Sequence, residues 1–263
     1  MKKITALLLC VLMLLPAAGC GNQNSDSGSA ATTSSTEKEV SKVATEVADT
    51  SDDALEHLEI CSPKFKKYIV QRRTVPITLE TTIDNTDGKW ESNIYIKDNT
   101  HGIMYSKDPA GNETTVIYSG SMVHQIESAT RTVYSQELGE DFVTSTIATY
   151  MVPLRYSEVV NAEYSNGTGK VEGVEYNCEA IDTHGKDADG NDTVTSHTVY
   201  YFDKDTDRLV YIDANNVLTT INVLENKFDR DDLFEVPSDY KTETIDNLMQ
   251  QYMDEEAANN SSN

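Results

Sequence analysis

HTVYYFDKDTDRLVYIDANNVLTTINVLENKFDRDDLFEVPSDYK, residues His197–Lys241, reads as three consecutive strands. Val199, Tyr201 and Phe202 lead into an aspartate-rich loop, Asp203 to Arg208, and Leu209-Val210-Tyr211-Ile212 returns. Aspartates between β-branched and aromatic runs mark a hairpin, because their side chains bond the nearby backbone and relieve the turn. A second turn at Asp213–Asn216 leads into Val217–Leu224, where Val217, Thr219, Ile221 and Val223 share one face of a strand. Phe234, Val236 and Pro237 are expected to close this meander as an edge strand, where a proline without an N–H is tolerated.

Upstream, the same signals repeat. Ile77–Ile83 alternates cleanly, Asn85-Thr86-Asp87-Gly88 turns, and Trp90–Ile96 comes back. His101–Tyr105, Thr114–Tyr118, Ser121–Ile126 and Arg131–Tyr134 are further strands with short connections, which means antiparallel pairing. Between Asp141 and Val160 the apolar period becomes helical, with Phe142, Val143, Ile147, Tyr150, Met151 and Leu154 on it and Pro153 as a break. An apolar helical insert in a chain of strands must cover one face of the sheet. Strands resume at Gly169–Val174 and Tyr176–Ile181. Two short helices precede the sheet, one capped near Ser51-Asp52-Asp53 and one at Ser62-Pro63 with Phe65, Tyr68 and Ile69 on its stripe. An amphipathic C-terminal helix is expected through Ile245, Leu248, Met249 and Tyr252.

The N-terminus speaks most directly to function. Lys2-Lys3 and the apolar run Ile4–Leu15 form a signal peptide, residues 1–19, too short to span a bilayer as a mature helix. Ala17-Ala18-Gly19-Cys20 resembles the bacterial lipobox, in which the cysteine is diacylated and becomes the first mature residue; Ala17 stands where that motif usually has Leu. Residues 20–50 are mostly Asn, Ser, Gly, Thr and Ala, a tether reaching roughly 30 Å. The expected organisation is then a single domain over 51–253 and a polar tail over 254–263, lipid-anchored on the extracytoplasmic side of a membrane.

The formal charge is −23, and 19 basic residues face 44 acidic ones once Lys2 and Lys3 are removed. Such a surface repels phosphate backbones, which excludes nucleic acid, and it repels anionic headgroups, so the acyl anchor must supply the membrane affinity. Of the chemistry-bearing residues, the five histidines show no HExxH spacing, and no GxSxG elbow or phosphate loop occurs. Asp187-x-Asp189 and Asp203-x-Asp205-x-Asp207 echo calcium loops but lack the glycine and glutamate at the required positions. The expectation is a protein without catalytic residues, metal or cofactor. Cys61 and Cys178 could form one disulfide in an oxidising compartment.

The run of strands, the internal helical insert, the YYFDKDTDRLVYI hairpin and the terminal LFEVPSDYK resemble the lipoprotein-carrier superfamily, with LolA-, LolB- and LppX-like folds. The resemblance covers Ser51 to about Lys241. It implies a mainly β, α+β domain: a twisted, antiparallel, open half-barrel with helices covering the concave face and an apolar cavity between them for acyl chains. No residue carries over by motif. By pattern, Phe142, Ile147, Tyr150 and Met151 of the insert are expected to line that cavity opposite Leu79 and Ile83. The rival expectation is a solid core and a scaffold or sensor domain that engages another envelope protein.

Overall fold

The computed structural model describes residues 52–151, 161–186, 190–245 and 247. The signal peptide, Cys20, the tether, Pro153 and most of the expected C-terminal helix lie outside them. Helices α1 (Asp52–Cys61) and α2 (Pro63–Arg72) come first. Strands β1 (Ile77–Asn85), β2 (Gly88–Asp98), β3 (His101–Lys107), β4 (Glu113–Ser119), β5 (Met122–Glu127) and β6 (Thr132–Glu137) follow. Helix α3 (Glu140–Met151) leads to β7 (Glu163–Val171), β8 (Val174–Lys186), β9 (Asp192–Phe202), β10 (Leu209–Ala214), β11 (Val217–Glu225) and β12 (Lys241–Thr244).

All the strands join one 12-stranded sheet, ordered β12-β6-β5-β4-β3-β2-β1-β11-β10-β9-β8-β7, and it does not close. The chain is therefore mostly β, as read, with the helices as additions. Every pairing is antiparallel except β12 on β6. Gly169–Val174, read as a strand, is a hairpin instead: Glu172 and Gly173 take φ of 52° and 84°, turning β7 into β8.

Cross-strand register assigns the faces. Leu79 opposes Ile94 on one side and Leu224 on the other, and Ile94 opposes Met104, so these side chains share one face. Tyr200 pairs with Ile212 and Glu179, extending that face to β8. Almost the whole main core lies there: Ile77, Leu79, Ile94, Ile96, Met104, Val116, Tyr118, Val123, Tyr200, Phe202 and Ile221 from strands, with Phe65, Tyr68 and Ile69 of α2 and Val143 and Ile147 of α3 packed in. The Phe65 and Tyr200 rings are 4.5 Å apart. Burying each such side chain contributes about 1.5–3 kcal/mol.

Two long connections place described segments on opposite faces of the sheet. The β6–β7 connection carries α3 over the apolar face. The β11–β12 connection passes six strands on the other face. Along it, Thr78 Oγ1 donates to the Lys227 carbonyl, Lys97 pairs with Asp231 at 2.8 Å, and the Phe234 ring meets His101 edge-on at 5.8 Å. Arg131 then bonds Asp239, and the Lys241 N–H reaches the Arg131 carbonyl as β12 begins. The expectation of an edge strand at Phe234–Pro237 is thus corrected. Asp231–Phe234 is a 3₁₀ turn within a strap, and the added strand, Lys241–Thr244, sits at the far end of the sheet, parallel to β6. Phe234 is apolar because it packs on the back face; it belongs to no ladder.

Ser62 occupies the N-cap position of α2 but bonds none of that helix's backbone with its side chain. Glu179, 3% exposed in β8, takes over. Its carboxylate accepts from Ser62 Oγ at 2.6 Å, Lys64 N at 3.0 Å and Phe65 N at 2.7 Å. A buried anion at a helix N-terminus satisfies orphan N–H groups and meets the positive end of the helix dipole. Removing it leaves three donors buried without an acceptor. Glu179→Ala should lower unfolding free energy by about 2–3 kcal/mol, read from urea midpoints, with Glu179→Gln losing less. A loss below about 0.5 kcal/mol for Glu179→Ala would contradict the capping role.

Candidate functional site

Helix α3 seats on the sheet through a missing side chain. Gly102 in β3 pairs with Ile96 in β2 and Tyr118 in β4, so it faces the helix. A Cβ there would lie 3.4 Å from both Cδ1 and Cγ1 of Ile147. Ile147 fills the space that glycine leaves. The Tyr150 ring lies 6.4 Å from that of Tyr118, and the Arg72 guanidinium of α2 bonds the Tyr150 carbonyl near the C-terminus of α3, where a cation complements the dipole.

The residues expected to line a cavity divide into groups. Leu79 (4% exposed) and Ile147 (1%) are brought together in the apolar cluster. Tyr150 and Met151 are partly buried against that cluster. Ile83 is also partly buried and lies two residues beyond Thr81 on the face of Leu79. Phe142 is placed elsewhere: at 45% exposure on the first turn of α3, it faces solvent, and the inward positions of that helix are Val143 and Ile147.

Sequence reasoning passed over Trp90. It pairs with Ile83 across β1 and β2, on the same face as Leu79. Its indole N–H is buried and has no hydrogen-bond partner among the described residues. Leaving such a donor unmatched costs about 1–3 kcal/mol, so its position calls for an acceptor. Period-2 counting from Ile94 and Ile96 back to Trp90 would have placed it on the inner face. The phenols near this face stay neutral: burial pushes the pKa values of Tyr118, Tyr150 and Tyr200 upward. Burial likewise raises that of Glu127, whose strand pairs with Thr132 at the sheet's rim.

Other features carry less chemistry. A shallow groove of about 400 Å³ runs outside α2, lined by Glu59, Pro63, Lys66, Lys67, Val70, Gln71, Thr74 and Asn226. Asp203, read as a turn residue, accepts from the Asp205 N–H and from the N–H and hydroxyl of Thr206, and Asp207 pairs with Lys64. Cys61 and Cys178 are both free. Cys61 ends α1 on the apolar face, whereas Cys178 is paired with Tyr201 on the opposite one, so the sheet itself separates the thiols.

No protein-family model matches the chain, and no curated protein matches it. Among solved structures it is similar to an uncharacterized conserved protein from Thermus thermophilus, at 9% identity and a TM-score of 0.37, over 67% of this chain and 96% of that one. It is also similar to a chain of the Pseudomonas aeruginosa MucA/MucB complex, at 10% identity and a TM-score of 0.39, over 72% of this chain and 62% of that one. A chain of the complex of MucB with MucA(peri) gives 9% identity and a TM-score of 0.36, over 72% and 60%. At these scores the reading of the site rests on its own geometry.

Gly102 is the test of how α3 sits. Gly102→Val adds methyls where Ile147 already packs, and overpacking of this kind costs about 1–3 kcal/mol. The loss should appear as faster hydrogen exchange in Glu140–Met151, with the β9–β11 amides unchanged. Equal acceleration in both segments would mean that α3 and the sheet unfold together.

Proposed function

We propose that this chain is an envelope lipoprotein, held on the extracytoplasmic side of a membrane by acyl chains on Cys20, and that its domain, akin to the lipoprotein carriers, holds an acyl chain or similar hydrophobe. On this reading the twisted sheet forms a half-barrel with its helices on the concave side. Leu79 and Ile147 make the floor of the site. Ile83, Tyr150 and Met151, all partly accessible, border it.

The observation that carries the proposal is Trp90. The inner face is apolar around Leu79, Ile94 and Met104 and more polar toward Trp90, where Thr81 and Ser92 lie. There one buried N–H has no acceptor among the described residues, and an amphiphile supplies both parts: hydrocarbon for the apolar stretch and a carbonyl or carboxylate oxygen for the indole. Burying about 300 Å² of acyl chain at ~25 cal/mol per Å² yields several kcal/mol before association costs, hence micromolar-class affinity.

Trp90 is the only tryptophan of the chain and reports on its own site. A long-chain fatty acid titrated into the Cys20→Ser chain should change its emission saturably in the micromolar range. Ile83→Asp should abolish that response by placing a carboxylate against hydrocarbon, while the fold survives because the position is partly hydrated. An emission unchanged by fatty acid would overturn the ligand-holding reading. For the anchor, cells expressing Cys20→Ser should release the protein from the detergent phase that retains the wild type; equal partition would place the anchor elsewhere.

A further inference from the structure

Strand β7 ends the sheet, and its outer side has a fixed polarity. The Glu172-Gly173 turn has positive φ at both positions, the type I′ geometry of a two-residue hairpin. The flanking pair, Val171 with Val174, is then a hydrogen-bonded pair, and bonded pairs recur at every second position. Gly169–Tyr176, Gly167–Cys178 and Ser165–Ala180 follow in that series. Lys170, Thr168 and Asn166 lie between them, so they turn their backbone N–H and C=O groups away from β8. All three are exposed, and among the described residues no strand pairs with that edge.

Natural sheets protect such an edge with bulges, proline, clustered charge or brevity. The opposite edge does so: β12 has four residues, including Lys241 and Glu243. β7 has nine, keeps an unbroken register with β8, and from Ser165 to Gly169 carries neither charge nor proline. It is also held in place. A Cβ at Gly169 would fall 2.9 Å from Cys178 Sγ and from Cε1 of Tyr201, because that ring lies across the β7 backbone. Tyr176 meets the rings of Tyr201 and Tyr211 at 6.5 and 5.4 Å, so an aromatic layer backs the edge. An ordered edge spares an incoming strand part of the ordering cost of binding.

Charge selects the occupant. Glu163, Glu172, Glu175 and Asp182 surround the neutral stretch; Lys204 pairs with Glu175, His197 with Asp182 and His184 with Glu163, while Glu172 stands at the turn, and the whole chain has a formal charge of −23. A second copy would bring another −23 against the first, and self-repulsion opposes it. We infer that the outer edge of β7, at Asn166, Thr168 and Lys170, receives an extended, positively charged segment of a partner polypeptide as an added strand. Main-chain bonds supply the affinity, and the carboxylates around the edge favour basic side chains. The site lies on the last strand of the sheet and is separate from the ligand face at Trp90.

The probe is a capped nine-residue peptide of alternating lysine and valine, dye-labelled and followed by anisotropy against the full chain carrying Cys20→Ser. Saturable binding is expected. Thr168→Pro removes one outward N–H and leaves the bonds to β8 intact, so it should weaken binding at least tenfold with the melting midpoint unchanged, while Thr168→Ala binds as wild type. A peptide N-methylated at every residue, which leaves neither of its edges a donor, should bind wild-type protein at least tenfold more weakly, which keeps the test alive if Thr168→Pro misfolds. Absence of saturable binding, or equal binding of the plain and methylated peptides, would overturn the inference. So would sedimentation of the chain alone as a dimer that Thr168→Pro dissolves, since a second copy would then own the edge.

Discussion

A carboxylate with almost no access to water governs how the helices sit on this sheet. Glu179 points from β8 into the apolar face, where an anion is tolerated only if donors surround it. The α1–α2 junction provides them: one hydroxyl and two backbone N–H groups. Replacing these bonds elsewhere would require moving α2 as a body. The contact therefore fixes both where α2 begins and which way it runs. Phe65 and Tyr68 then fall on Tyr200, and Arg72 at the far end reaches the Tyr150 carbonyl of α3. One buried interaction thus positions both the helix that shields the core around Tyr200 and the helix that borders the proposed ligand face.

The second constraint is topological. A sheet this wide with one apolar face needs cover, and the chain obtains it while joining distant strands. The β6–β7 crossover lays Val143 and Ile147 on one face; the β11–β12 crossover lays Phe234 on the other and ends as a parallel strand on β6. Ile103, Ile117 and Val133 are buried on this second face, outside the main cluster. The strap does not extend over β7–β10, where the aromatic layer of Tyr176, Tyr201 and Tyr211 takes its place behind the sheet's last strand.

These constraints explain what could be read from sequence. The strands from Ile77 to Tyr134, and the hairpins through Asp203 and Asn215, announced themselves because period-2 alternation and turn chemistry are local. The helical period of α3 was equally local, and Ile147 lies on its buried stripe. Long-range partners left fainter marks. Phe234-Glu235-Val236 looks like a strand in isolation, and only the sheet's width shows that it must be a strap. Ser62-Pro63 looks like a self-sufficient cap, yet the acceptor comes from a glutamate more than a hundred residues later. Its signal was an acidic residue in phase with Ile181, on a strand whose inner positions should be apolar. Phe142 was assigned inward by its hydrophobicity; the helix instead turns Val143 to the core and leaves Phe142 at the surface. The disulfide was open on sequence because the two cysteines could not be assigned to faces; register puts Cys178 on the face opposite the one where Cys61 ends α1, and both thiols are free.

An amphiphile held on the apolar face beside the Trp90 N–H should travel with the protein through purification. Native mass spectrometry of the full chain carrying Cys20→Ser, purified from the envelope-facing compartment without detergent or denaturant, tests this most directly. A population heavier than the polypeptide by the mass of an acyl compound, released on denaturation and recovered in an organic extract, is expected. A spectrum of the bare polypeptide alone, with an extract matching that of a control protein, would contradict it.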